Sequence, residues 1–177
     1  MTEYRIRAAT LEDTEALVHL YKKVSTAGSL GRTEDEINAN YISDFLTRSL
    51  ARGKSLVLYP ATIQNKIIGE IHGYSLGLQT FAHVFEQITM VVDPDYQGQG
   101  LGKKLLQALQ TEIKQNMPWI LKMELACFSN NTPALQLYLQ NGFTVEGKRK
   151  NRVRLRTGEF ADGLALGWFN PNFVSDK

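Results

Sequence analysis

The residues with the clearest chemical meaning lie between Val91 and Leu106. An apolar run ends at Asp93-Pro94, and glycines follow at every second position: Gly98, Gly100 and Gly102. A helical stripe then begins, with Leu101, Leu105, Leu106, Leu109 and Ile113 in phase. Alternate glycines let a backbone approach a ligand closely and aim its N–H groups at it. A helix N-terminus adds unpaired N–H groups and partial positive charge. Together these make an anion site suited to phosphate. Lys103 and Lys104 in the first turn oppose the helix dipole by some ~0.3–1 kcal/mol each when exposed, and a bound anion reverses that sign. The loop is not a Walker A site, because Lys104 stands where Ser or Thr is required. It is not a dinucleotide fingerprint either, because Lys103 stands where the third glycine belongs.

Other chemistries find little support. The three histidines, His19, His72 and His83, are scattered, and none has a partner at metal-ligand spacing. There is no Gly-x-Ser-x-Gly elbow. Cys127 sits in a strongly apolar strand and reads as a core thiol. A single cysteine excludes an internal disulfide.

The elements that position the glycine loop follow from periodicity. Tyr4 to Ala8 reads as a strand, and Thr10 with Asp13 as a capping box that opens a helix. A loop spans Gly28 to Gly31. A second helix is expected from Thr33 to Arg52, with Ile37, Tyr41, Phe45, Leu46 and Leu50 on one side. Strands are expected at Ser55–Ala61, Ile67–Leu76 and Val84–Val92, with a turn at Gln64-Asn65-Lys66. Leu121, Met123, Leu125 and Cys127 alternate as a strand. Asn131 or Thr132 caps a further helix that Asn141-Gly142 stops. Two strands flank Thr157-Gly158-Glu159. The order β-α-α-β-β-β-α-β-α-β-β predicts an α/β fold in one domain over 1–177. Its central sheet is mixed and mostly antiparallel, with helices on both faces.

Gln97-x-x-Gly100-x-Gly102 resembles the (Arg/Gln)-x-x-Gly-x-(Gly/Ala) signature of the GNAT superfamily of N-acetyltransferases. Val91-Val92-Asp93-Pro94-Asp95-Tyr96 resembles its lead-in. Asn131-x-x-Ala134-x-x-x-Tyr138-x-x-x-Gly142-Phe143 is similar to the family's second motif. The tail around Gly158-Glu159-Phe160-Ala161-Asp162 resembles bacterial ribosomal-protein and small-amine acetyltransferases.

That resemblance implies an acetyl-CoA-dependent N-acetyltransferase with acetyl-CoA as co-substrate and no metal. Gln97, Gly98, Gln99, Gly100, Leu101, Gly102 and Lys103 would hold the coenzyme pyrophosphate. Met90, Val91 and Val92 would pair with the pantetheine arm along a bulged strand, and Asn131 would contact it. A main-chain N–H near Met90 would face the oxyanion. Tyr138 is implied as the acid for the leaving thiolate. Glu86, or Glu124 on the neighbouring strand, is the candidate base. The acceptor is a small-molecule amine or a peptide or protein N-terminus or lysine. Ser25 to Asn40, Phe81 to Val84 and Arg152 to Asp162 are where specificity is expected, and Asp35, Glu36, Asp44 and Asp162 are its acidic candidates.

The chain has 177 residues, 43% hydrophobic and 21% charged, with a formal net charge of +2. No apolar run approaches a membrane span and the start lacks a signal-peptide core, which predicts a cytoplasmic protein. Two other readings stay open: a catalytically silent acetyl-CoA sensor, and a nucleic-acid-binding module resting on Lys150, Arg152, Arg154 and Arg156, which a regular strand would place on one face. A homodimer is also left open.

Overall fold

A computed structural model describes residues 3–26, 30–63 and 66–175. The elements run β1 (Tyr4–Ala8), α1 (Thr14–Thr26), α2 (Ala39–Arg52), β2 (Gly53–Pro60), β3 (Gly69–Tyr74), β4 (Val84–Val92), α3 (Leu101–Asn116), β5 (Lys122–Phe128), α4 (Thr132–Gln140), β6 (Thr144–Arg154) and β7 (Phe160–Phe169). The seven strands form a mixed sheet in the order β1-β2-β3-β4-β5-β7-β6. The order of strands and helices is the one read from the sequence. Two compact units are present, Met1–Tyr74 with Thr89–Leu109 and Ser75–Ile88 with Gln110–Lys177.

In the first unit β1, β2 and β3 pair antiparallel, with Tyr4 opposite Pro60 and Leu56 opposite Ile71. Alternate residues of β3 point to opposite faces. Glu70 and His72 meet Tyr21 of α1 and Phe45 of α2. A Cβ added at Gly69 would stand 3.0 Å from Leu105 Cδ1 of α3. Helices therefore cover both faces here. The side formed by α1 and α2 buries Leu17, Tyr21, Ile42, Phe45 and Leu46. Fully burying a Leu or Phe side chain contributes about 1.5–3 kcal/mol, so this amphipathic pair is a main source of the unit's stability.

In the second unit the start of β4 runs parallel to β5, with Val84 opposite Lys122 and Phe85 opposite Met123. β5 pairs antiparallel with β7, and β7 with β6. Met123, Leu125 and Cys127 face a buried side, while Lys122, Glu124 and Ala126 share the more open one. Gln110 of α3 meets the residue that closes α4, its Nε2 donating to the Asn141 carbonyl at 2.9 Å.

Four local expectations change. The second helix starts at Ala39, not Thr33, because the Thr33–Glu36 capping box closes one 3-10 turn, Glu34–Glu36. Ile37 is then extended, and Asn38 caps the true helix by accepting from Tyr41 N at 3.0 Å. Leu50, placed on the apolar side of that helix, is 61% exposed. The strand expected at Ile67–Leu76 forms over the narrower span Gly69–Tyr74. On β6 the register shifts between Arg149 and Val153, and Asn151 takes φ 49°, so the basic residues do not share one face. Arg156 lies beyond the strand's end. The loop expected at Gly28–Gly31 and the turn at Gln64-Asn65-Lys66 fall partly outside the described residues.

Candidate functional site

The glycine loop forms as the sequence dictates. Asp93 leaves β4 with its N–H bonded to the Ile68 carbonyl at 2.8 Å, and its side chain accepts from Asp95 N at 3.0 Å. Pro94–Tyr96 makes one 3-10 turn. Gly98 (φ 76°) and Gly100 (φ 75°) follow in the left-handed region, which a side chain disfavours. A Cβ added at either would meet no atom within 4 Å. Packing inside the protein therefore does not demand these glycines; the backbone turn does, and the space above them is open. Lys104 N makes the first helical bond, to the Gly100 carbonyl at 3.1 Å. The N–H groups of the first turn before it have no partner within α3. Lys103 and Lys104 are exposed beside them.

Neighbouring side chains fix this loop. Lys23 Nζ of α1 reaches both Asp93 and Asp95, at 2.6 Å each. Tyr4 donates its hydroxyl to Gln99 Oε1 at 2.7 Å, and Lys104 lies 5.7 Å from the Tyr4 ring centre. Lys66 Nζ donates to the Tyr96 hydroxyl at 2.9 Å. Gln97 Nε2 donates to the Val92 carbonyl at 3.0 Å. The Gln97 side chain thus staples the loop to the end of β4. A rigid loop with open N–H groups at a helix start fits a pyrophosphate.

The second unit holds the other residues singled out in the sequence. Within β4, Gln87 takes φ 56°, unusual for a residue with a side chain. Glu86 is half-buried beside Glu124 of β5. Burial pushes its carboxyl above the usual range, and the charge of Glu124 adds to that. Glu124 itself accepts from Lys122 Nζ at 2.7 Å. Lys122 escaped the sequence reading because its second partner, Glu146, is far along the chain, on β6. Only the lysine–glutamate spacing within one strand was a signal for it.

Asn131 caps α4, its Oδ1 accepting from Ala134 N at 3.3 Å. Tyr138 is buried, its ring 5.7 Å from that of Phe143. Burial pushes the Tyr138 phenol far above its ordinary value, with a further contribution from Cys127. The phenol therefore stays protonated. Among the described residues its hydroxyl has no hydrogen-bond partner. Met90, Val91, Val92 and the loop from Gln97 to Lys103 thus stand together in the first unit, and Glu86, Glu124, Asn131 and Tyr138 in the second.

The acidic acceptor candidates are already engaged. Asp44 pairs with Arg48 at 3.0 Å and Asp162 with Lys148 at 2.7 Å. Glu36 accepts from Thr33 N at 2.8 Å, and Asp35 bonds the Thr33 side chain. Among the described residues no cluster of His, Cys, Asp and Glu is arranged to hold a metal ion, and no helix is long and apolar enough to cross a membrane.

Known proteins share this framework. A mycothiol acetyltransferase of Thermobifida fusca is 39% identical over 75 residues, which is 42% of this chain and 22% of that protein's length. The L-amino acid N-acetyltransferase AaaT of Escherichia coli is 26% identical over 94% of this chain and 98% of its own. The structure of a GNAT superfamily phosphinothricin acetyltransferase from Sinorhizobium meliloti, solved with acetyl-CoA, superposes with a TM-score of 0.85 at 17% identity, covering 100% of this chain and 93% of that one. The profile of the acetyltransferase (GNAT) domain matches residues 54–145, which carry the glycine loop, Glu86, Glu124 and Tyr138. The chain belongs to the GNAT acetyltransferase family.

Proposed function

We propose that the chain moves the acetyl group of acetyl-CoA directly to the primary amine of a small molecule, with an amino acid as the leading acceptor class. The observation that carries this reading is the pair Gly98 and Gly100, both at positive φ beneath open space at the start of α3. The full-length match to an L-amino acid N-acetyltransferase supports the acceptor class.

The residue roles follow from their environments. The loop N–H groups from Gly98 to Lys103 hold the pyrophosphate. Met90 to Val92 offer main-chain groups to the pantetheine arm, which lies along them as a short extra strand. An acceptor ammonium, with a reference pKa of ~10.4 for a lysine-type amine, must lose a proton before it can attack. Glu86 takes that proton: its raised affinity for protons brings it closer to neutrality than an ordinary carboxylate. The nitrogen then forms its bond to the acetyl carbon, and a main-chain N–H near Met90 stabilises the oxyanion. As the C–S bond breaks, Tyr138 supplies a proton to the thiolate and the nitrogen gives up its second proton. The balance is one amide, one thiol and one proton released.

A silent acetyl-CoA sensor has no use for an unpartnered, protonated hydroxyl at Tyr138 or for a half-buried carboxyl at Glu86, and these favour the enzyme. A thiol-release assay over amino acids, polyamines and short peptides tests the reading. The expected result is turnover on one class of small amine. Acetyl-CoA binding with no thiol release on any amine would establish the sensor instead.

A further inference from the structure

Lys122 sits at the centre of an ionic clasp that spans three strands of the second unit. Its Nζ lies 2.7 Å from Glu124 Oε1 on β5 and 2.7 Å from Glu146 Oε2 on β6. Strand β7 runs between β5 and β6, so Glu146 must reach across it. Two departures from regular sheet make this reach. Val145 pairs with Leu166 and Gly147 with Ala165, which leaves Glu146 as the extra residue of a bulge. On β7 the residue beneath is Gly167, where an added Cβ would stand 2.6 Å from Glu146 Cδ. Lys122 is only 18% exposed and lies 5.6 Å from the Phe169 ring centre. A strand glycine weakens a sheet, and in a partly buried ion pair the loss of hydration offsets much of the attraction. Stability alone is a poor reason for this arrangement.

The parallel register supplies a better one. Val84 lies opposite Lys122 and Phe85 opposite Met123, and just past this pairing the charge of Glu124 acts on Glu86. Two like carboxylates side by side compete for one proton. The clasp makes them unequal, because Glu124 has a cation in contact and Glu86 has none. We propose that Lys122 is a positioning residue: its ammonium, in contact with Glu124 and not with Glu86, assigns proton acceptance to Glu86. This rests on the reading of Glu86 as the base.

The charged groups facing the pair within this unit are few. β5 contributes Lys122 and β6 contributes Glu146, while β7 presents Gly167 and Phe169, which carry no charge. Farther along the hairpin Lys148 and Asp162 pair with each other. Burial works against the Lys122 charge, but its two carboxylate partners outweigh it and hold the ammonium above its usual range. Lys122 therefore stays charged throughout the acidic and neutral range.

The test is the acidic limb of kcat/KM, read on folded proteins. In the wild type the limb should follow one ionisation. Lys122→Gln should move it to higher pH and broaden it from one ionisation to two, because the cation that sets the two carboxylates apart is gone. Lys122→Arg should restore it. Glu146→Gln should move it the opposite way, to lower pH, because Lys122 then serves a single carboxylate; general destabilisation produces no such reversal. An unmoved limb in folded Lys122→Gln overturns the proposal alone, provided Glu86→Gln still removes the limb. A limb that persists in Glu86→Gln overturns the Glu86 reading and the proposal with it.

Discussion

Lys23 Nζ lies 2.6 Å from Asp93 Oδ1, tying the last turn of α1 to the residue where β4 hands the chain to the glycine loop. Asp93 is 6% exposed, and its carboxylate also caps the turn that follows. Removing the lysine leaves that carboxylate without its cation at the base of the cradle. Lys23→Met should therefore weaken acetyl-CoA binding about tenfold, equivalent to ~1.4 kcal/mol, with kcat little changed. Initial-rate kinetics with varied acetyl-CoA would show this as a rise in KM. A fall in kcat at constant KM would mean that Lys23 acts elsewhere.

Tyr138→Phe removes one hydroxyl and leaves the packing against Phe143 intact. Turnover should drop by ~10²-fold or more, since general acid contributions are of that order. The dissociation constant for acetyl-CoA should stay within about twofold, because affinity lies with the loop. Stopped assays paired with calorimetry read the two quantities separately. Undiminished turnover removes Tyr138 from the mechanism.

The pH profile follows from the sign of the Glu86 shift. A base must be deprotonated, so activity rises with pH through the Glu86 ionisation. Burial and the Glu124 charge place that ionisation above the ordinary carboxylate range. Glu124→Gln removes the repulsion, lowers the Glu86 pKa and should move the acidic limb to lower pH. Glu86→Gln should remove the limb. A limb that shifts upward in Glu124→Gln contradicts the assignment.

A stability prediction comes from the core of the first unit. Glu70 is fully buried, with its carboxylate accepting from Tyr21 at 2.6 Å and from Ser55 at 2.6 Å, and with His72 Nδ1 at 3.1 Å. Burial pushes the Tyr21 phenol well above its usual range, with a further push from the Glu70 charge, so it remains a donor. Tyr21→Phe should cost about 1–3 kcal/mol in denaturant unfolding, the scale for a buried acceptor that loses a donor. Ser55→Ala should fall in the same range. No loss in either would mean that the carboxylate finds water.

Much of this was legible in the sequence because it was local. β4 forms over Val84–Val92 as its β-rich run and the terminating Asp93-Pro94 indicate. Gly98 and Gly100 stand beneath open space, as expected of glycines that let a backbone approach a ligand. Asn131 caps α4, and Gly142 takes φ 86° just past its end. A cap can also mislead: Thr33 signals a helix start, yet its box closes one 3-10 turn and Asn38 begins α2. The Lys122–Glu124–Glu146 clasp was hidden for a different reason. It depends on a bulge at Glu146 and on Gly167 lying between the strands, and neither leaves a periodic trace. The Gln87 distortion is equally silent, since glutamine has no special liking for positive φ.

The loop from Gln97 to Lys104 as an anion cradle is the claim beneath the rest, and calorimetric titration with acetyl-CoA addresses it directly. Wild-type protein should bind one equivalent in the micromolar range. Gly100→Ala should bind at least tenfold more weakly, because φ 75° costs an alanine about 1–2 kcal/mol and its methyl enters the open space above the loop. No heat of binding in the wild type, or equal affinity in a folded Gly100→Ala protein, would contradict the account.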